Sequence, residues 1–513
     1  MKALATLAGR LDDFLNPIVV KELRQAVRSR FVSGVLMLLL VIQLLVVGLF
    51  VMFRAAGPQS FSEGRQITAV LYGVLTFSCI LFVPLYAGVR LAWERGETQM
   101  DLMYTTTISP GAIVRGKLVG AAVITVLIYS ACMPFMTFTY LLRGVDLPTV
   151  FFLLAAGFVE VLVASQFALF VACIPTSRPL KVLMGLIALT FLFVGAVAGS
   201  TGLPALFFGG GIIYSGWDFW AGTLTWLAFA AMATGLLHLL SVAMISPPSA
   251  DRMRPVRLYM LALWLTSGIL LALWVLNNGD WDPWEAWTYG WAFGLAFLFP
   301  VALSERESWG PRIRSGLPRS RLRRAISLVL TTGSPGAFFG VVLMILLTWG
   351  AFETVAAAYK AYGLVRVAPN ADCPQFIIGI ALYGMAYGLT AVLLRKLLGL
   401  AKLNIPVGYT WLIAYMMVAA GSLGPYVLCF ILYFNDGSSA IFQDRIWIVT
   451  SPMMILQKEF LMVRLVVAGF WASAALVAST PWLIRQISAF RPLEPAAPVQ
   501  AAEPPAAGPP PGP

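Results

Sequence analysis

Charge is scarce in this sequence. Only 11% of its 513 residues are Asp, Glu, Lys or Arg, against about a quarter in an ordinary soluble domain, and that shortage excludes the soluble globular class. Histidine occurs once, and no zinc, haem or nucleophile-triad pattern appears with it. The five cysteines, Cys79, Cys132, Cys173, Cys373 and Cys429, lie far apart, and all but Cys373 fall in or at the ends of apolar runs. Neither a disulfide framework nor metal-type spacing follows. No catalytic, cofactor-binding or metal-ligating set is therefore expected of this chain.

Apolar sequence fills the chain instead: 59% of its residues, with a mean hydropathy of +0.84. These residues gather in runs of roughly 20 or more, each able to cross a hydrocarbon core about 30 Å thick as a helix. The expected fold is an all-α integral membrane protein with twelve spans, near 31–53, 67–91, 118–142, 149–173, 182–198, 219–245, 257–276, 286–304, 336–357, 375–394, 405–434 and 461–484. The first run is too long for a cleaved signal and follows a charged segment, so it reads as a first span. The net charge of +12 comes from basic residues in short loops, where it sets orientation and meets anionic membrane lipid; nucleic acid is not an expected partner. Basic loops alternate with poorer, more acidic ones such as 277–287, which gives an N-in, C-in orientation.

Some stretches are less regular. The fifth span is short and runs into SGLPALFFGGG, and the eleventh is expected to break at Gly421, Gly424 and Pro425. Segment 441–460 is amphipathic and either lies on the outer surface or dips in and out. The proline-rich stretch 492–513 reads as an extended, disordered cytoplasmic tail.

An internal echo divides the chain. ERGET at 94–98 is followed by TTISPGA at 106–112, and ERES at 305–308 by TTGSPGA at 331–337, each pair between the second and third spans of its half. Glu94 lies 15 positions before Ser109 and Glu305 lies 29 before Ser334, so the second copy carries an insertion of 14, filled by arginine-rich sequence. Six spans per half make the repeats parallel, with both halves starting on the same side. The expected division is a cytoplasmic segment 1–30, a first half 31–245 with a loop at 93–117, a second half 246–491 with a loop at 305–335, and the tail.

Two segments stand out as candidate chemistry. In NPIVVKELRQAVRSR, 16–30, Asn16 can cap a helix with Pro17 in its first position. Val19, Val20, Leu23, Ala26 and Val27 then line one face and Lys21, Glu22, Arg24, Gln25 and Arg28 the other, giving a helix in the cytoplasmic interface or a plain basic anchor. The second segment, WERGETQMDLMYTTTISPGAIVRGKL, contains G-x-x-x-x-G-K at Gly111, Gly116 and Lys117. A nucleotide-binding loop needs Ser or Thr after that lysine to reach magnesium, and a soluble helix beyond it; here Leu118 follows and the next helix enters the membrane. The stretch reads better as a docking surface. Met100, Leu102 and Met103 offer apolar contacts, Ser109 and Pro110 restart the chain as cap and first helical residue, and Arg115 and Lys117 flank the membrane.

Together these segments resemble the membrane subunit of ABC exporters of the type-2 permease family. There an N-P-x-x-x-K-E-L-R helix precedes the first span, and an E-R-x-x-G-T-x-x-x-L-L-x-T-T-P-x-S-x-x-x-I-V-x-G-K-L segment forms the first cytoplasmic loop. The resemblance is specific over roughly 16–120 and architectural beyond. It implies a connecting helix carried by Asn16, Pro17, Lys21, Glu22, Leu23 and Arg24. It also implies an ATPase-coupling loop carried by Glu94, Arg95, Glu97, Thr98, Thr106, Ser109, Pro110, Ile113, Val114, Gly116 and Lys117. Gln99, Met100 and Thr107 depart from the pattern. The second-half counterpart is Glu305, Arg306, Thr331, Thr332, Ser334, Pro335 and Gly336, but Phe338-Phe339-Gly340 replaces the I-V-x-G-K portion and no K-E-L-R helix precedes span seven. By the same resemblance the chain is no enzyme itself: ATP and magnesium belong to separate cytoplasmic ABC ATPase subunits, two copies for a whole pathway. If the second half is only an accessory bundle, a second permease chain is needed. The expected location is the bacterial cytoplasmic membrane.

Ionisable residues within the spans carry the remaining signal. Glu160 lies deepest, in the fourth span, and either faces a translocation path or stays protonated and bonds a neighbouring helix. His238, Glu353 and Arg464 lie nearer an interface, where snorkelling or structural pairing suffices. An ion- or proton-coupled carrier using Glu160, or a membrane scaffold that transports nothing, are the competing readings. The seven arginines of 306–324 read as an enlarged positive-inside signal or as a contact for an acidic partner or anionic lipid.

Overall fold

The computed structural model describes residues 17–54, 61–94, 109–141, 145–209, 216–247, 249–363, 372–433, 449–452 and 461–493. Among them every regular element is a helix. The first part of the chain forms α1 (Pro17–Val27), α2 (Arg30–Arg54), α3 (Phe61–Glu94), α4 (Pro110–Leu141), α5 (Leu147–Cys173), α6 (Arg178–Gly209) and α7 (Trp217–Ile245). There follow α8 (Arg254–Asn278), α9 (Asp282–Leu303), two short helices α10 (Pro311–Ser315) and α11 (Arg321–Leu330), then α12 (Ser334–Ala361), α13 (Cys373–Leu400), α14 (Thr410–Tyr433) and α15 (Leu461–Ala489). Twelve of these, all but α1, α10 and α11, are long and apolar enough to cross a membrane. The chain is a multi-pass, all-α membrane protein.

The helices form two compact units, Met1–Pro248 and Ser249–Pro513. In the first, α3 packs on α4, α5 and α6, and α5 packs on α7. Leu71, Leu75 and Cys79 of α3, four residues apart, have no exposed surface and set the core stripe. In the second, α9 packs on α12, α13 and α14, and α13 packs on α15. Counted from the start of each unit, the same spans pair: second with third, fourth and fifth, and fourth with sixth. Each second–fourth contact also contains a glycine against an alanine. A Cβ on Gly88 of α3 would stand 3.1 Å from the Ala168 carbonyl oxygen of α5, and one on Gly384 of α13 would stand 3.1 Å from that of Ala296 on α9. Small residues let membrane helices approach backbone to backbone, where lipid gives no hydrophobic drive for association. Outward surfaces stay apolar: Met37, Leu38, Val41, Leu44 and Leu45 of α2 are all exposed, as lipid contact requires.

Three expectations change. The fifth span is not short, because α6 continues through Gly202 and Pro204 to Gly209. The eleventh does not break at its glycines: α14 runs through Gly421, Gly424 and Pro425 to Tyr433. Breaker residues weigh less in lipid, where leaving the helix strands backbone groups without partners. The third span starts at Pro110, not near 118, so Ile113 to Lys117 lie on a helix. Of segment 441–460 only 449–452 is described, and it lies against helices rather than at an outer surface. The carbonyls of Val449 and Thr450 accept from the hydroxyls of Tyr383 and Tyr387, the second at 2.7 Å, and Thr450 Oγ1 donates to the Gly421 carbonyl at 2.6 Å. Tyr387 is midway along α13, so this irregular backbone sits at span depth and is held by protein, the condition under which it is tolerated.

Candidate functional site

Three sequence segments meet at one end of the first unit: α1, the last turn of α3 and the first turns of α4. α1 buries Val19, Glu22 and Ala26 along one stripe and exposes Lys21, Arg24 and Gln25, while Leu23 is half-buried. Glu22 is therefore on the buried face and not, as periodicity suggested, on the polar one. α1 packs on α4, and Gly120 makes room for it: a Cβ there would be 3.4 Å from the Glu22 Cβ. α4 starts as its sequence implies, with Pro110 in the first helical position and the Ala112 N–H donating to Ser109 Oγ at 3.3 Å. Ile113, Val114, Gly116 and Lys117 all turn inward.

Lys117 is 4% exposed, and its ammonium lies 2.9 Å from Glu22 Oε1 and 2.7 Å from Glu94 Oε2. Arg90, one turn before Glu94, places Nε 3.5 Å from Glu22 Oε2 and 3.7 Å from Glu94 Oε1, and Lys21 reaches Glu94 Oε1 at 3.8 Å. The Arg90 guanidinium also donates to the Tyr86 hydroxyl at 2.6 Å, and Phe31 stacks on the Tyr86 ring. Two carboxylates thus share three cations where three helices join. A buried network of this kind adds little net stability, but it fixes geometry, because any shift of α1 strands a buried charge. A cavity with room for about one water, lined by Glu22, Tyr86, Lys117 and Gly120, adjoins it.

The second unit builds a different knot from its matching segments. Glu305 Oε2 accepts from Arg257 Nη2 at 2.5 Å and from the Gly333 N–H at 2.7 Å, and the Ser334 N–H donates to the Arg306 carbonyl at 3.1 Å. Arg257 Nη1 donates to the carbonyls of Val329 and Thr331, both at 2.7 Å, closing the end of α11. Asp251 Oδ1 takes the Thr332 N–H at 2.8 Å and its hydroxyl at 2.6 Å, while Trp309 Nε1 donates to the Thr332 carbonyl at 2.9 Å. Pro335 starts α12, whose first residues Ser334, Pro335 and Gly336 are buried. Burial pushes the Glu305 carboxyl above the usual carboxylate range, opposed by Arg257 and the Gly333 N–H, which favour its charged form. Glu307 pairs with the buried Arg395 of α13. The arginine-rich insertion is partly helical, as α10 and α11.

Gly336 is fixed by close approach: a Cβ there would run into the Leu328 backbone carbonyl. Gly336→Ala should cost roughly 1–3 kcal/mol by overpacking, read as a lowered melting temperature in detergent. Gly350→Ala, in the same helix with open space around it, should not.

Asn16, Arg95, Glu97, Thr98 and Thr106 lie outside the described residues, as do Met100, Leu102 and Met103. Glu160 sits in the middle of α5, away from both ends of the unit. Arg464 is buried, 3% exposed, and close enough to Tyr383 to act on its phenol, so it does not snorkel. Among the described residues no group of His, Cys, Asp and Glu is arranged to hold a metal ion. Sequence reasoning missed Arg90, Tyr86, Arg257 and Asp251 as site residues. The signals present were the four-residue spacing of Arg90 to Glu94, and Arg257 at the head of a span, where it passed for an orientation charge.

No protein-family model, curated protein or solved structure matches the chain.

Proposed function

We propose that the chain is the membrane-spanning subunit of an ATP-driven ABC exporter of the bacterial cytoplasmic membrane, with ATP hydrolysed on two separate cytoplasmic ATPase subunits. The observation that carries this reading is the buried network of Glu22, Lys117, Glu94 and Arg90, which joins the K-E-L-R helix, the E-R end of the second span and the G-K start of the third. A permease must pass a push received at its cytoplasmic loops into its spans without slack. A Glu22–Lys117 pair with almost no contact with water serves that need, because displacement of one helix carries the other two along. The matching span pairs of the two units favour parallel six-span halves within one chain, and the basic loops favour an N-in, C-in orientation. A single chain then supplies the whole pathway, and the two halves tilt between inward- and outward-open arrangements as the ATPase pair closes and opens.

Purification from native membranes should bring an ATPase with it. Reconstituted in lipid, Glu22→Gln should lose most of the permease-dependent stimulation of that ATPase while still assembling with it. A chain that purifies with no ATPase, or a Glu22→Gln complex with unchanged coupling, contradicts the reading.

A further inference from the structure

In the first unit, α3, α4 and α5 bring a second polar group together, far from the ion-pair network. Tyr72 and Thr76, one turn apart on α3, are both fully buried, and Tyr129 comes from the middle of α4. All three hydroxyls converge on the backbone of Gly157: a Cβ there would stand 2.9 Å from each phenol oxygen and 3.3 Å from Thr76 Oγ1. Glu160 follows one turn later on α5, at the midpoint of its span, with Oε2 against Gly199 of α6, where a Cβ would come within 2.5 Å of it. Glu160 Oε2 is a buried atom without a hydrogen-bond partner, and the Thr76 hydroxyl lies within reach of both phenols. A buried carboxylate oxygen left unpaired is costly, and taking up a proton removes most of that cost.

Among the described residues, the groups around Glu160 carry no full charge of either sign. α3 and α4 bring the phenols and, beside Tyr129, the Cys79 thiol, with Cys132 next to that. α6 brings Gly199. On α7 the Ser241 hydroxyl accepts from the Gln166 amide at 3.2 Å. A carboxylate at this depth has no cation beside it among the described residues, whereas a protonated carboxyl is neutral and can donate to a hydroxyl of the cluster one turn away at Gly157.

We propose that Glu160, Tyr72, Tyr129 and Thr76 form a proton-binding site in the middle of the first half, at which the Glu160 carboxyl takes up and releases a proton. The phenols and the threonine hydroxyl donate to the carboxylate when the proton has left, and Gly157 keeps the space in which they turn. The assignment does not depend on an ATPase partner: it is a property of this unit, and applies equally if the exporter reading fails.

Infrared spectroscopy of the full chain in lipid tests it without any transport assay. A protonated-carboxyl C=O stretch should be present at neutral pH, be absent in Glu160→Gln, and fade as pH rises. Tyr72→Phe and Tyr129→Phe, which remove donors to the carboxylate, should each move the pH midpoint of that fading upward by about one unit, the tenfold change of one weakened hydrogen bond. Reaction with a membrane-soluble carbodiimide, followed by mass mapping, should label Glu160 and decline over the same pH range. A band absent at every pH, a band that persists with no titration, or a midpoint indifferent to both phenols overturns the assignment.

Discussion

Lys117→Ala is expected to destabilise the first half by about 3–5 kcal/mol, the range seen when one member of a buried ion pair is removed. The ammonium stands between two carboxylates, and what is lost with it is the neutralisation of Glu22, which has almost no contact with water. Glu94 is a third exposed and recovers some hydration, so Glu22 bears most of the cost. Thermal unfolding of the purified protein measures the loss. The same logic predicts a rescue: Lys117→Met combined with Glu22→Leu removes the stranded charge with its partner and should regain most of the stability, since apolar isosteres often replace buried ion pairs without cost. Stability and coupling then separate, because the double variant holds α1 by packing alone and should stimulate an ATPase poorly. A single variant that melts like the wild type would mean that the network is more hydrated than its geometry implies.

How much of this was legible in the sequence follows from which forces act at each place. The spans were, because hydropathy summed over a whole bilayer thickness overwhelms local preference; the end of α6 was misjudged and a break was expected inside α14, where glycine and proline were given the weight they have in water. The Ser109 cap was legible because capping is local. Glu22 was placed on the wrong face, because helical periodicity sorts residues by polarity and has no means to see that Lys117, 95 positions away, would supply a counter-charge. The same blindness hid Tyr72, Thr76 and Tyr129. Each looks like an ordinary amphipathic residue in an apolar run, and only the packing of three helices on Gly157 gives them a common destination. The echo of ERGET and TTISPGA was visible as ERES and TTGSPGA, yet the two segments are held by different partners: lysine from the third span in the first unit, Arg257 from the first span in the second. A motif fixes which residues are kept and leaves open what they touch.

Arg257 therefore carries the other large prediction. Its guanidinium binds Glu305 and the carbonyls of Val329, Thr331 and Gly333 at once, so Arg257→Ala leaves the Glu305 carboxylate with the Gly333 N–H but no cation, and the end of α11 without its donor. A loss of about 3–5 kcal/mol is expected at neutral pH, and Arg257→Lys should recover only part, because a lysine keeps the charge but not the planar fork that reaches two carbonyls and a carboxylate together. The pH dependence supplies a check that a purely steric effect would fail. Burial raises the Glu305 carboxyl above its ordinary range, so the folded unit holds that proton more tightly than the unfolded chain. The contribution of Glu305 is then fully present below the ordinary carboxylate range and is lost as pH rises through the raised value. Removing Arg257 takes away the main cation favouring ionisation, so the raised value should climb further. The gap in melting temperature between Arg257→Ala and wild type should accordingly narrow towards acid pH, where Glu305 is neutral in both, and widen towards alkaline pH. A gap that stays constant with pH would assign the loss to the α11 carbonyls alone. Adding Glu305→Gln to Arg257→Ala distinguishes the two contributions, since it should restore the carboxylate share and leave the carbonyl share untouched.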